Sequence, residues 1–137
     1  MKKWMQSLTK LADLEVETLQ KRLREIADRR AGIERQIAAL DEEGRRESLN
    51  ASQDAQAGWY LAGYRQGAKL RRAKFEGELH NCRIEEQGAR DALGRAFEEQ
   101  KKYERLAETA RQAATALAAK HEAAVLDELA LRRSGSR

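Results

Sequence analysis

The sequence predicts an all-α fold, an elongated antiparallel two-helix coiled-coil hairpin whose second helix is longer than its first. Two stripes of residues spaced alternately by three and four point to it, with a cluster of turn-forming residues between them. The spacing keeps side chains on one side of a helix while it supercoils around a neighbour. Composition agrees. A chain of 137 residues with 36% charged residues, 5% aromatics, no proline and a mean hydropathy of −0.84 has little to bury in a globular core, which disfavours a compact mixed α/β enzyme.

The first stripe runs through Ala12, Val16, Leu19, Leu23, Ile26, Arg30, Ile33, Ile37 and Leu40, broken only by Arg30. It lasts about four heptads, so helix 1, expected over about residues 4–48, needs a partner along its length. The turn region is expected over about 44–58, where Gly44, Ser48, Asn50, Ser52, Asp54 and Gly58 collect, residues that cap helices or bond their own backbone. Asn50 followed by Gln53 offers an N-cap pair for helix 2. A short connection there makes the two helices antiparallel neighbours.

Helix 2 is expected over about 59–133, on the stripe Phe75, Leu79, Cys82, Glu86, Ala89, Leu93, Ala96, Gln100, Tyr103, Ala107, Ala110, Ala114, Leu117, His121, Ala124, Glu128 and Leu131. Every alternate member from Phe75 is apolar and the interleaved set is mixed, so this seam is weaker and wetter. At about 1.5 Å per residue the first helix spans roughly 60 to 75 Å and the second about 105 to 115 Å, so the second overhangs. The overhang, from about residue 105, carries Leu106, Leu117, Val125, Leu126 and Leu129. It is expected to fray when free and to order against a partner. Residues 134–137 read as a loose tail, and 1–137 as one coiled-coil unit.

The excess of 27 cations over 23 anions is small and well mixed, so it favours acidic partners only weakly. The lone Cys82 fits a reducing compartment. No secretion signal follows Met1 and no apolar run approaches the roughly 20 residues of a membrane span. Two helices offer no layer to wall off a catalytic pocket, no Walker or Gly-rich phosphate motif is present, and the two histidines are too far apart for local metal spacing. No enzyme, cofactor or metal site is expected.

Other residues admit two readings. Cys82 is a small buried hydrophobe before it is a redox switch. Arg30 and Glu86 are polar seam members suited to fixing register by pairing with charges on the facing helix. The basic runs Arg22, Arg24, Arg29, Arg30 and Lys69, Arg71, Arg72, Lys74 are interleaved with Glu25, Asp28, Glu76 and Glu78; they read as solvated flanks, and no nucleic-acid partner is expected. Trp59, Tyr60, Leu61 and Tyr64 either clamp the bend or form an exposed anchor. Trp4, Leu8 and Leu11 lie off the first stripe and suggest a second contact surface.

Three segments carry a family resemblance: the opening with Leu8, Leu11 and Glu15-Val16-Glu17; the approach to Tyr60, Leu61 and Tyr64; and the finish Leu126-Asp127-Glu128-Leu129-Ala130 with Arg132. Over nearly its whole length the chain resembles the FliJ family of the flagellar type III export apparatus. The resemblance implies a hairpin shaped like the central stalk of rotary ATPases. It implies a component that binds the export ATPase FliI and promotes its ring assembly, and that contacts the export gate protein FlhA and flagellar substrate chaperones. An ATPase-facing end would use Leu8, Leu11, Glu15, Leu126, Asp127, Glu128, Leu129 and Arg132. A gate-binding region would use Tyr60, Leu61, Tyr64, Ala68 and Phe75, with Arg71 departing from the apolar pattern expected there. The implied protein is a cytoplasmic monomer when free, peripheral to the inner membrane at the flagellar base through its partners alone. A stalk component of a virulence injectisome and a generic coiled-coil scaffold or homodimer are the alternatives.

Overall fold

The computed structural model describes residues 2–54 and 56–135. It is all-α: α1 spans Lys3–Gln53, α2 spans Ala57–Gly135, and the two pack against each other, the second being the longer. The reversal is much tighter than the broad turn region expected. Gly44, Ser48, Asn50 and Ser52 all lie inside α1, so Asn50 and Gln53 close α1 and do not cap α2. Ser52 Oγ donates to the Leu49 carbonyl at 2.7 Å in the last turn of α1, and Asp54 Oδ1 accepts from the Gln56 amide at 3.0 Å. A short acidic side chain that satisfies a backbone N–H two residues on builds a compact turn from few residues. At the far end Ser134 and Gly135 extend α2, while the rest of the expected loose tail lies outside the described residues.

The chain divides into two compact units, one running to Glu17 and resuming at Gly94, the other Thr18–Leu93. Within Thr18–Leu93 the core is Ile26, Ile33, Cys82 and Ala89, with Leu23, Ile37, Phe75 and Leu79 partly buried against it. These are members of the two stripes, and burying each Ile contributes about 2 kcal/mol. Cys82 fills its place as a small apolar side chain whose thiol donates to the Ile26 carbonyl at 3.5 Å. At Arg30 the seam turns polar: Arg30 Nε donates to Glu86 Oε2 at 2.8 Å, and Arg90 reaches the other oxygen at 2.7 Å. Arg29 pairs with Glu85 and Arg72 with Asp41 across the flanks, which places the helices antiparallel and makes the basic runs flanking charges of the coiled coil.

In the other unit Ala12, Val16 and Ala96 are the buried side chains of a thinner seam, and Gln100 Nε2 donates to Asp13 Oδ1 at 2.8 Å. Tyr103, Ala107 and Ala110 stay half-buried; from Arg111 to Gly135 every residue is exposed. The uncovered stretch is helical nonetheless. Its alanines have the highest helix propensity, and the Arg111–Glu108 and Arg132–Glu128 pairs bridge neighbouring turns.

Candidate interaction surfaces

The first surface lies in the unit Thr18–Leu93, where the opening turns of α2 bring four aromatic and apolar side chains near the reversal. Trp59 is 89% exposed and Tyr60 59% exposed, so neither clamps the bend. Tyr64, one helical turn after Tyr60, is held from three sides. Its ring stacks on Tyr60 at 6.5 Å between centroids, the Arg71 guanidinium sits 5.9 Å from its centroid, and its hydroxyl is buried without a hydrogen-bond partner of good geometry. Burial first, and then the Glu43 carboxylate, push the Tyr64 phenol above its ordinary pKa, because both disfavour phenolate. The expected alternatives are therefore divided between neighbours: Tyr64 is packed, and Trp59 and Tyr60 are exposed.

Of the five residues named for gate binding, Tyr60 alone is well exposed, Leu61, Tyr64 and Ala68 are half-buried, and Phe75 packs into the hydrophobic core. Phe75 is thus a residue of the seam. Arg71, off the expected apolar pattern, has a local role as the cation over Tyr64. Trp59 is the exposed anchor left out of that set. Its place one residue before Tyr60, in a cluster of three aromatics, was the signal for it.

The second surface belongs to the unit that resumes at Gly94. Leu8 is half-buried, while Leu11 and Glu15 are exposed on α1; Leu126, Asp127, Glu128, Leu129 and Arg132 are all exposed on α2. The two groups do not meet. Thr9 shares a cavity with Glu104, Ala107 and Ala114, whereas Leu126 lies roughly 18 Å of helix beyond Ala114. Leu126, Leu129 and Ala130 with Arg132 and Arg133 line their own depression on the uncovered helix. Spacings of three and four residues put Leu126, Leu129, Ala130 and Arg133 on one face, a face other than the one that continues the seam through Leu117 and Leu131.

A third feature was hidden in the basic run at 69–74. Arg72 is neutralised by Asp41 and Glu76 and Arg71 covers Tyr64, whereas Lys69 has no ion-pair partner among the described residues. Lys69 and Arg65 instead border a groove between α1 and α2. Only the pairing register shows which cations are left over, and no periodicity gives that. Among the described residues no helix is long and apolar enough to cross a membrane, and no cluster of three or more His, Cys, Asp or Glu could hold a metal ion.

The sequence model of the family described as Flagellar FliJ protein matches residues 1–137. The chain is 49% identical over 134 residues to the Flagellar FliJ protein of Caulobacter vibrioides strain NA1000 / CB15N, covering 98% of this chain and 96% of the relative. The same figures hold for the Flagellar FliJ protein of Caulobacter vibrioides strain ATCC 19089 / CIP 103742 / CB 15. No solved structure matches.

Proposed function

The chain belongs to the flagellar FliJ family, and from that membership we propose that it is a non-enzymatic component of the flagellar type III protein export apparatus, acting as a central stalk for the export ATPase ring. The observation that carries this reading is the uncovered end of α2. Leu117, Leu126, Leu129 and Leu131 are each more than half exposed on a helix that no described part of α1 accompanies. A helix with apolar residues on two sides and ion pairs between its turns suits a protein socket. The Leu126–Arg132 segment enters the ring, and Leu8, Leu11 and Glu15 form a separate contact nearer the seam. The helix hydrolyses nothing; it promotes assembly of subunits that do.

The aromatic surface supplies the link to the export gate. Trp59 and Tyr60 offer large contact area with few torsions to freeze, Tyr64 buttresses Tyr60, and Leu61 and Ala68 complete the patch. Substrate chaperones are further partners. The protein works on the cytoplasmic side, at the inner membrane through its partners alone.

Purified protein mixed with the export ATPase should bind it and raise its oligomerisation-dependent hydrolysis. Leu126→Asp with Leu129→Asp should abolish both effects while helicity is unchanged, since both side chains are exposed. Absence of binding at low salt by a well-folded sample would overturn the stalk reading.

A further inference from the structure

The groove between α1 and α2 in the unit Thr18–Leu93 has a volume of about 660 Å³ and a charged rim that neither proposed docking surface uses. Its floor is apolar, made by the buried Leu40 and the half-buried Tyr64 and Ala68. Its α1 wall is low. Gly44 and Ser48 stand one turn apart there, and the space where a Gly44 side chain would stand is open to at least 4 Å. Leu49 is exposed on the rim. Two antiparallel helices that meet over small residues leave a trough into which the side chains of a third helix fit as knobs.

The rim charge says what kind of helix. Arg45 is paired with Glu42, and Arg72 with Asp41 and Glu76. Arg65 and Lys69 have no carboxylate partner among the described residues. Arg65 donates to Ser48 Oγ at 3.3 Å, which holds its guanidinium across the groove. Their spacing of four residues stacks two uncompensated cations on one face of α2, the repeat at which a facing helix presents its own side chains. We propose that this groove binds an acidic amphipathic helix of a partner protein, about three turns long, with apolar side chains on the Leu40–Ala68 floor and carboxylates on Arg65 and Lys69.

A nucleic acid is a poorer match. Asp41, Glu42 and Glu76 stand among the cations, and the Tyr64 ring is already taken up by Tyr60 and Arg71, so no base can stack on it. Tyr64 and Ala68 also belong to the aromatic surface assigned to the gate. The groove assignment does not depend on that one, because it rests on the Arg65–Lys69 rim.

The test uses the full-length protein and a fluorescein-labelled helical peptide of 18 residues, with leucines along one face and glutamates flanking them, read by anisotropy. The glutamate peptide should bind, and peptides with lysine for glutamate or serine for leucine should bind at least tenfold more weakly. Arg65→Glu with Lys69→Glu should weaken the glutamate peptide by about tenfold, the combined effect of two exposed ion pairs, and should create binding of the lysine peptide. Helicity and Tm should hold, because both side chains are exposed. Tyr60→Ala should leave the affinity within about twofold, whatever it does to gate binding. Three results would overturn the proposal: affinity indifferent to the double charge reversal, loss of the peptide with Tyr60→Ala, or heparin competing equally for the protein whether or not the peptide carries leucines.

Discussion

Arg30 and Glu86 meet within the hydrophobic seam, Nε to Oε2 at 2.8 Å, with the Glu86 side chain 5% and the Arg30 side chain 31% exposed. The asymmetry decides the energetics. Arg30 keeps contact with water and with Glu34 at 3.1 Å, whereas Glu86 depends on Arg30 and Arg90. Removing Arg30 strands half the compensation of a buried carboxylate, so Arg30→Ala should cost about 2 kcal/mol in urea unfolding, and Glu86→Ala about 1 kcal/mol. Arg30→Leu combined with Glu86→Leu should be at least as stable as the parent, because well-packed apolar pairs equal or exceed buried ion pairs. The double variant should also show a dimeric species by light scattering, since a polar layer that admits one register has been removed. A double variant less stable than both single ones would make the pair a source of stability and not of register.

The seam and its uncovered continuation differ in stability even though they share one repeat. Ile33 is buried in the core of Thr18–Leu93, so Ile33→Ala should cost about 3 kcal/mol through lost transfer energy and the cavity left behind. Leu117 occupies an equivalent repeat position but is 70% exposed, and Leu117→Ala should change stability by less than about 0.5 kcal/mol. Urea midpoints of the two variants check this. A large loss at Leu117 would mean that the end of α2 is covered by another molecule under the conditions of the measurement.

That contrast marks how far the sequence could be read. Ala12 to Leu40 and Phe75 to Ala110 all lose exposure at the positions the repeat assigns, because a 3.5-residue period fixes which face of a helix turns inward. The same repeat continues through Ala114, Leu117 and Leu131 without a neighbour. Periodicity states which face wants a partner, and the relative lengths of the helices decide whether one is there. The turn is shorter than its composition suggests because Gly44, Ser48 and Asn50 are tolerated inside a helix whose packing outweighs their local preferences. The split between Tyr60 and Tyr64 was not legible. Whether an aromatic four residues along is packed or free depends on what the opposite helix presents, here Glu43 and its neighbours.

Tyr64 carries a buried hydroxyl without a good hydrogen bond, so Tyr64→Phe should raise the urea midpoint at pH 7. Its phenol is held above the ordinary value in the folded chain. The unfolded phenol ionises first on the way up in pH, so the stability tied to neutral Tyr64 is fully present below about pH 10 and is lost as pH climbs through the folded-state pKa. The parent should therefore lose urea resistance above pH 10 more steeply than Tyr64→Phe. Tyr103, whose phenol is raised chiefly by its hydrogen bond with Glu99, contributes a loss in the same direction that both proteins share.

Gly77 and Gly88 lie in the interior of α2, where no atom would meet an added Cβ within 4 Å. Nothing within the molecule requires a missing side chain at either position, and glycine costs a helix about 1 kcal/mol relative to alanine. Gly77→Ala and Gly88→Ala should each raise stability by about 0.5 to 1 kcal/mol, and by the sum when combined, since the sites are three turns apart and share no partner. Both glycines fall on the outer side of α2, with Trp59, Leu70 and Ile84, which are also well exposed. If the double alanine variant gains stability but binds the export ATPase or gate less well, the glycines admit a partner's backbone at close range. Full binding together with the gain would reduce them to residues that the fold merely tolerates.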